Sequence, residues 1–167
     1  MLSSLFIWLA SASLLGLTTA VSCPGNTNTG MTDTMRDEFL DEHNMRRSDV
    51  AEGAVVLGPR GDLCPTAVRM PKLSYDCNLE KSAYEFARGC SLRGSPQNSR
   101  PNQGENFLVA PFNENPTEVG IRAINEWFNG ITKRGMNRQM YYLQGVQAKQ
   151  QLPPFTQRLP ASGKLVQ

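Results

Sequence analysis

The sequence predicts an α/β domain of three main helices with few short strands and a disordered C-terminal tail. Three observations carry this reading. Apolar residues recur at helical spacing in three well-separated segments, between which lie glycine- and proline-broken loops. Only two short runs, Phe107–Ala110 and Met140–Leu143, read as strands. From Ala148 onward the chain is polar, holds Pro153, Pro154 and Pro160, and shows no period.

The chain opens with an apolar run from Leu5 to Leu17 followed by Thr18-Thr19-Ala20. The run falls short of the about 20 residues that span a bilayer. Small residues at 18 and 20 suit a signal peptidase, so residues 1–20 are expected to be a cleaved secretory leader. No later stretch is apolar enough to span a membrane, and residues 21–147 would form one modest domain with a tail over 148–167. The net charge of +2 is spread along the chain and argues against nucleic acid as a partner.

The first helix is expected over Asp33–Arg47, with Thr32 or Thr34 as its cap and Asp33 near its positive end. Met35, Phe39 and His43 recur every four residues and Leu40 widens their stripe, which leaves Arg36, Asp37 and Asp41 for solvent. Arg46-Arg47 read as a solvated, mixed-sign helix face. Residues 53–70 carry three glycines and two prolines and read as a long loop. The second helix is expected over Leu79–Cys90, capped by Asp76 or Asn78, with Leu79, Ala83, Phe86, Ala87 and Cys90 buried. The third opens at Asn115-Pro116, where Asn caps and Pro takes the first turn, and buries Gly120, Ile124, Trp127, Phe128 and Ile131.

The one histidine, His43, lies on the core stripe of the first helix, which favours a packing role over catalysis. No nucleophile motif and no His-x-x-x-His or Cys-x-x-Cys spacing is present, so no catalytic residue, metal ligand or cofactor is expected. Glu105, between a polar loop and an apolar run, is the acid placed where functional side chains are displayed. The four cysteines, Cys23, Cys64, Cys77 and Cys90, suit two disulfides in an exported chain. Cys77 and Cys90 stand 13 positions apart in a largely helical segment. That is roughly 20 Å along the axis, against the about 7 Å that a disulfide allows, so they are expected not to pair.

Four segments together resemble the CAP superfamily, the cysteine-rich secretory, antigen 5 and pathogenesis-related-1 group, and within it the activation-associated and venom-allergen-like proteins secreted by nematodes. They are Phe39-Leu40-Asp41-Glu42-His43-Asn44-Met45-Arg46-Arg47, Met70-Pro71-Lys72-Leu73-Ser74-Tyr75-Asp76-Cys77-Asn78-Leu79-Glu80, Gly104-Glu105-Asn106-Phe107, and Ala123-Ile124-Asn125-Glu126-Trp127-Phe128. The resemblance implies an α-β-α sandwich, here partial because the sequence departs from the family pattern after Val146. It implies secretion and a role in binding an extracellular protein or a lipid such as a sterol, with host interaction among the family's roles. The family's cleft presents two histidines and two glutamates. Here Gly94 stands at the first histidine position and Gly130 at the second glutamate, the second histidine motif is absent, and Glu105 alone is retained. The resemblance also implies a Cys23–Cys77 bridge, since the family tethers its N-terminal Cys-Pro segment near the cysteine before the second helix. Cys64 and Cys90 would then pair with each other or remain free. The expected function is a secreted, non-enzymatic binding protein. The alternatives are an inactive or structural fragment and a metal-dependent hydrolase.

Overall fold

The computed structural model describes residues 20–136, and its element order is α1 (Asp33–Ala51), β1 (Val56–Leu57), β2 (Asp62–Leu63), α2 (Cys77–Ala87), α3 (Pro116–Phe128) and α4 (Gly130–Arg134). The expected leader, the Met140–Leu143 run and the tail lie outside the described residues.

Each main helix begins where capping chemistry places it. Thr32 accepts from the Met35 amide, Asp76 from Asn78 and Leu79, and Asn115 from Thr117 and Glu118. These side chains satisfy amides that have no partner inside the helix. α1 runs one turn beyond its expected end, to Ala51, because Val50 continues the buried stripe. That stripe is Arg36, Phe39, His43, Arg47 and Val50, stepping by three or four residues. α2 stops at Ala87, three residues early. Gly89 follows, and Cys90 takes a left-handed backbone with φ of 48°.

Two arginines correct the sequence reading. Arg36, expected in solvent, is 3% exposed, and Arg47, expected on a solvated face, is 4% exposed. Arg36 is buried because its guanidinium meets Glu80 of α2, with Nε to Oε2 and Nη2 to Oε1 both at 2.8 Å. Thr29 and Tyr75 donate hydroxyls to the same carboxylate at 2.6 and 2.9 Å. Burial alone pushes the Glu80 carboxyl up, but the hydrogen bonds from Arg36, Thr29 and Tyr75 outweigh it and hold it at about 2. Arg47 passes under the loop before α2 and donates Nη2 to Pro71 O at 2.8 Å. Its neighbour Arg46 is half-buried, paired with Glu42 and lying over the Phe128 ring.

The core joins the end of α1 to the hairpin and to the α3–α4 corner through Val50, Val55, Leu57, Cys64, Phe128 and Ile131. The antiparallel β1–β2 pair, with Val56 opposite Leu63 and Leu57 opposite Asp62, falls in the stretch read as loop. Gly58 and Gly135 allow it to dock on α4. Both have positive φ, and a β-carbon on Gly58 would lie 2.8 Å from Gly135 Cα. The expected strand at 107–110 is not formed among the described residues. The segment runs irregularly over the surface, with Val109 55% exposed and the Trp127 indole donating to Phe107 O at 3.4 Å.

Cys23 and Cys77 form a disulfide with Cα atoms 5.6 Å apart. Of the two outcomes left open for Cys64 and Cys90, the favoured bridge is absent and the alternative holds: both are free thiols. Cys64 is drawn into the core by its own packing and by its amide, which donates to Val55 O across the hairpin, whereas Cys90 stands in solvent past the end of α2.

Candidate functional site

The loop over residues 91–105 folds back along α2 and is held there by Glu105. Its carboxylate accepts the Ser95 amide on Oε1 at 2.7 Å and the Ser95 hydroxyl on Oε2 at 2.6 Å. Arg100 closes the arrangement: Nε donates to Ser95 Oγ at 2.8 Å, Nη1 donates to Gln103 O at 2.8 Å, and Nε lies 3.8 Å from Glu105 Oε1. The side chains of Arg100 and Glu105 are each 17% exposed, so the pair sits at the mouth of the cleft.

Gly94 is what lets the carboxylate approach. A β-carbon there would lie 2.5 Å from Glu105 Oε1, inside contact distance. The space beside Gly94 is therefore filled by the glutamate's own side chain. A short 3-10 turn at Gln97–Ser99 bends the loop so that Arg100 returns toward Ser95.

Between this loop and α2 lies a cavity of about 280 Å³. Leu79, Ala83 and Phe86 form its apolar wall, spaced so that one helix face presents all three. Ser95, Ser99, Arg100, Gln103 and Glu105 form the polar wall. The helix face expected to be fully buried is thus partly open: Leu79 is buried, Ala83 and Phe86 are half-buried, and Ala87 and Cys90 are exposed.

Of the residues singled out from sequence, Glu105 lines this cavity. His43 does not: it is 2% exposed within α1, and its Nδ1 bonds Phe39 O at 2.7 Å, the geometry of a protonated Nδ1 donating to a carbonyl. Gly130 is buried at the first position of α4. Cys23 and Cys77 are joined, Cys64 is buried and Cys90 is exposed, and none of the four lines the cavity. Sequence reasoning missed Ser95 and Arg100, whose signal was the glycine preceding Ser95 and an arginine five residues beyond it.

Among the described residues no three His, Cys, Asp or Glu side chains converge as a metal site would require. Residues 1–19 and 137–167 contain none of these four types, so the remainder of the sequence has none to add. Among the described residues no helix is long and apolar enough to cross a membrane.

The cysteine-rich secretory protein (CAP) family model matches residues 40–152. The chain is 39% identical over 119 residues to the Ancylostoma secreted protein of Ancylostoma caninum, a match over 68% of this chain and 26% of that protein. It is 36% identical over 70 residues to Venom allergen 3 of Solenopsis invicta, over 42% of this chain and 30% of that protein. The chain thus matches only about a quarter to a third of the length of these two relatives. Among solved structures, it resembles the zinc-bound crystal structure of NaASP2 with a TM-score of 0.77 and 30% identity, over 87% of this chain and 75% of that one. It resembles BmVAL-1 with a TM-score of 0.76 and 27% identity, over 86% of this chain and 70% of that one.

Proposed function

This chain belongs to the cysteine-rich secretory protein (CAP) family, and we propose that it is an extracellular, non-enzymatic protein that acts by binding, with the cleft between α2 and the 91–105 loop as its contact site. One observation carries the reading: the Glu105 carboxylate is occupied by the Ser95 amide and hydroxyl beside Arg100. A hydrolase needs a base free to take a proton and an acid placed to return it. Here the acid accepts on both oxygens, and the chain's one histidine is buried in α1.

Zinc, present in the NaASP2 structure, does not fit the donors of this cleft. Structural zinc takes four ligands and catalytic zinc three with an open position, drawn from His, Cys and carboxylates. Glu105 is the one such side chain among the residues lining the cavity, and Gly94 beside it has no side chain to offer as a ligand. An amphipathic cavity with a preformed polar rim suits ligand binding. Export as a leader-cleaved chain and a partner that is an extracellular protein or lipid belong to the same proposal.

The test is metal content and hydrolysis together. The secreted chain, purified from zinc-supplemented medium and dialysed, should carry well under one zinc per molecule and should not hydrolyse ester or peptide substrates. One tightly held zinc per chain, lost in Glu105→Gln, would overturn the reading.

A further inference from the structure

The cleft's geometry goes further than a generic contact site: we infer that the cavity takes a small organic carboxylate with a short apolar body, seated with its anion on Arg100. The inference rests on the reading of this cleft as a binding site and names the chemistry of what enters it.

Size sets the first limit. The cavity of about 280 Å³ lies at the small end of ligand pockets, which run from roughly 300 to 1,000 Å³. That suits a body of roughly ten non-hydrogen atoms. Leu79, Ala83 and Phe86 supply an apolar floor for such a body.

Charge sets the second. Arg100 and Glu105 are close, yet they are not a bidentate pair: Nε lies 3.8 Å from Oε1, while the carboxylate accepts the Ser95 amide on one oxygen and the Ser95 hydroxyl on the other. The guanidinium commits Nε to Ser95 Oγ and Nη1 to Gln103 O, and Nη2 has no hydrogen-bond partner among the described residues. Arginine keeps its charge at any working pH and presents a planar fork that matches a carboxylate. An anion therefore finds a solvent-accessible donor edge on a cation whose nearby acid already accepts two hydrogen bonds. A cationic ligand is repelled by the guanidinium and meets an acid whose two oxygens each already accept a hydrogen bond. An uncharged apolar ligand covers the same N–H edge without pairing it, which is unfavourable. Among molecules of the right size, the carboxylate is the class that satisfies both walls.

The experiment uses the full secreted chain, labelled with ¹⁵N, and three probes of one size: 3-phenylpropionate, 3-phenylpropanol and 3-phenylpropylamine. The expected result is saturable shifts of the Ala83, Phe86, Ser99 and Arg100 amides with the acid, at least tenfold weaker binding of the alcohol, and none of the amine. Ala83→Phe, which fills the floor without touching the polar wall, should abolish binding while the Ser95 amide keeps its position. Arg100→Gln should bring acid and alcohol to equal affinity. Equal binding of acid and alcohol by the unaltered chain, shifts mapping away from the cavity, or no shift with any probe would each overturn the carboxylate inference. Stoichiometric zinc would instead overturn the underlying binding reading, so the two failures are distinguishable.

Discussion

The ring of Phe39 on α1 fills the space in which residue 120 of α3 would carry a β-carbon. Gly120 is therefore the point at which the two helices come into close contact, and its missing side chain is matched to one aromatic ring. Gly120→Ala should lower stability by about 1–3 kcal/mol through overpacking, against the about 1 kcal/mol that alanine gains in helix propensity. Urea unfolding decides the sign. A net gain would mean that Phe39 can turn aside freely.

Arg36 and Glu80 make the second prediction. Arg36→Met should cost about 3–5 kcal/mol, because it leaves a buried carboxylate without its cation. The pH dependence follows from the same pair. The Glu80 carboxyl is held at about 2 in the fold against 4.5 for the free group. A depressed acid contributes stability that is fully present above its unfolded value and is lost as pH falls toward its folded one. The melting temperature should therefore drop as pH falls from about 4.5 to about 2, with a shallower drop in Glu80→Gln. An unchanged slope in that variant would assign the acid sensitivity to other carboxylates.

Much of this framework was legible in the sequence. Thr32, Asp76 and Asn115 mark their helices because capping acts over three residues, and the chain itself shows it. The buried places of Arg36 and Arg47 were not legible, because an arginine enters a core only when a distant group meets it. Those groups, Glu80 and Pro71 O, lie 44 and 24 residues away. The β1–β2 hairpin has strands of two residues, too short for any period to register. At the cleft, the Gly104-Glu105-Asn106 motif pointed to Glu105, but its partners depended on how a loop without periodicity folds back, and local pattern is silent on that.

Gly94→Ala should separate the Glu105 latch from global stability. Because the atom it would strike is the end of a flexible side chain, Glu105 can swing away and the overall loss should stay near about 1 kcal/mol. The local effect should be larger: the Ser95 amide loses its acceptor, and its hydrogen exchange should rise well above that in the unaltered chain. Unchanged protection at Ser95 would show that the loop is held by something other than Glu105.

The free thiols should differ sharply. Cys90 is exposed and should alkylate in the folded protein, whereas burial pushes the Cys64 thiol up and shields it until unfolding. Mass spectrometry after brief iodoacetamide treatment should find one modification, at Cys90. Reducing Cys23–Cys77, separated by 54 positions, should cost about 4 kcal/mol by the loop-closure relation. Thermal melts with and without reductant measure it.

The start of α2 is where the chain's fastenings meet. The disulfide joins Cys77 to residue 23, the Asn26 amide reaches Cys77 O, and one turn on Glu80 holds both Thr29 and Arg36. These attachments fail under unlike insults, since thiols break the covalent one and acid breaks the ionic one. A surrounding fluid that is reducing but neutral, or acidic but oxidising, releases one and leaves the other in place. The N-terminal segment thus has a redundant anchorage, and only a combined chemical challenge would free it from α1 and α2.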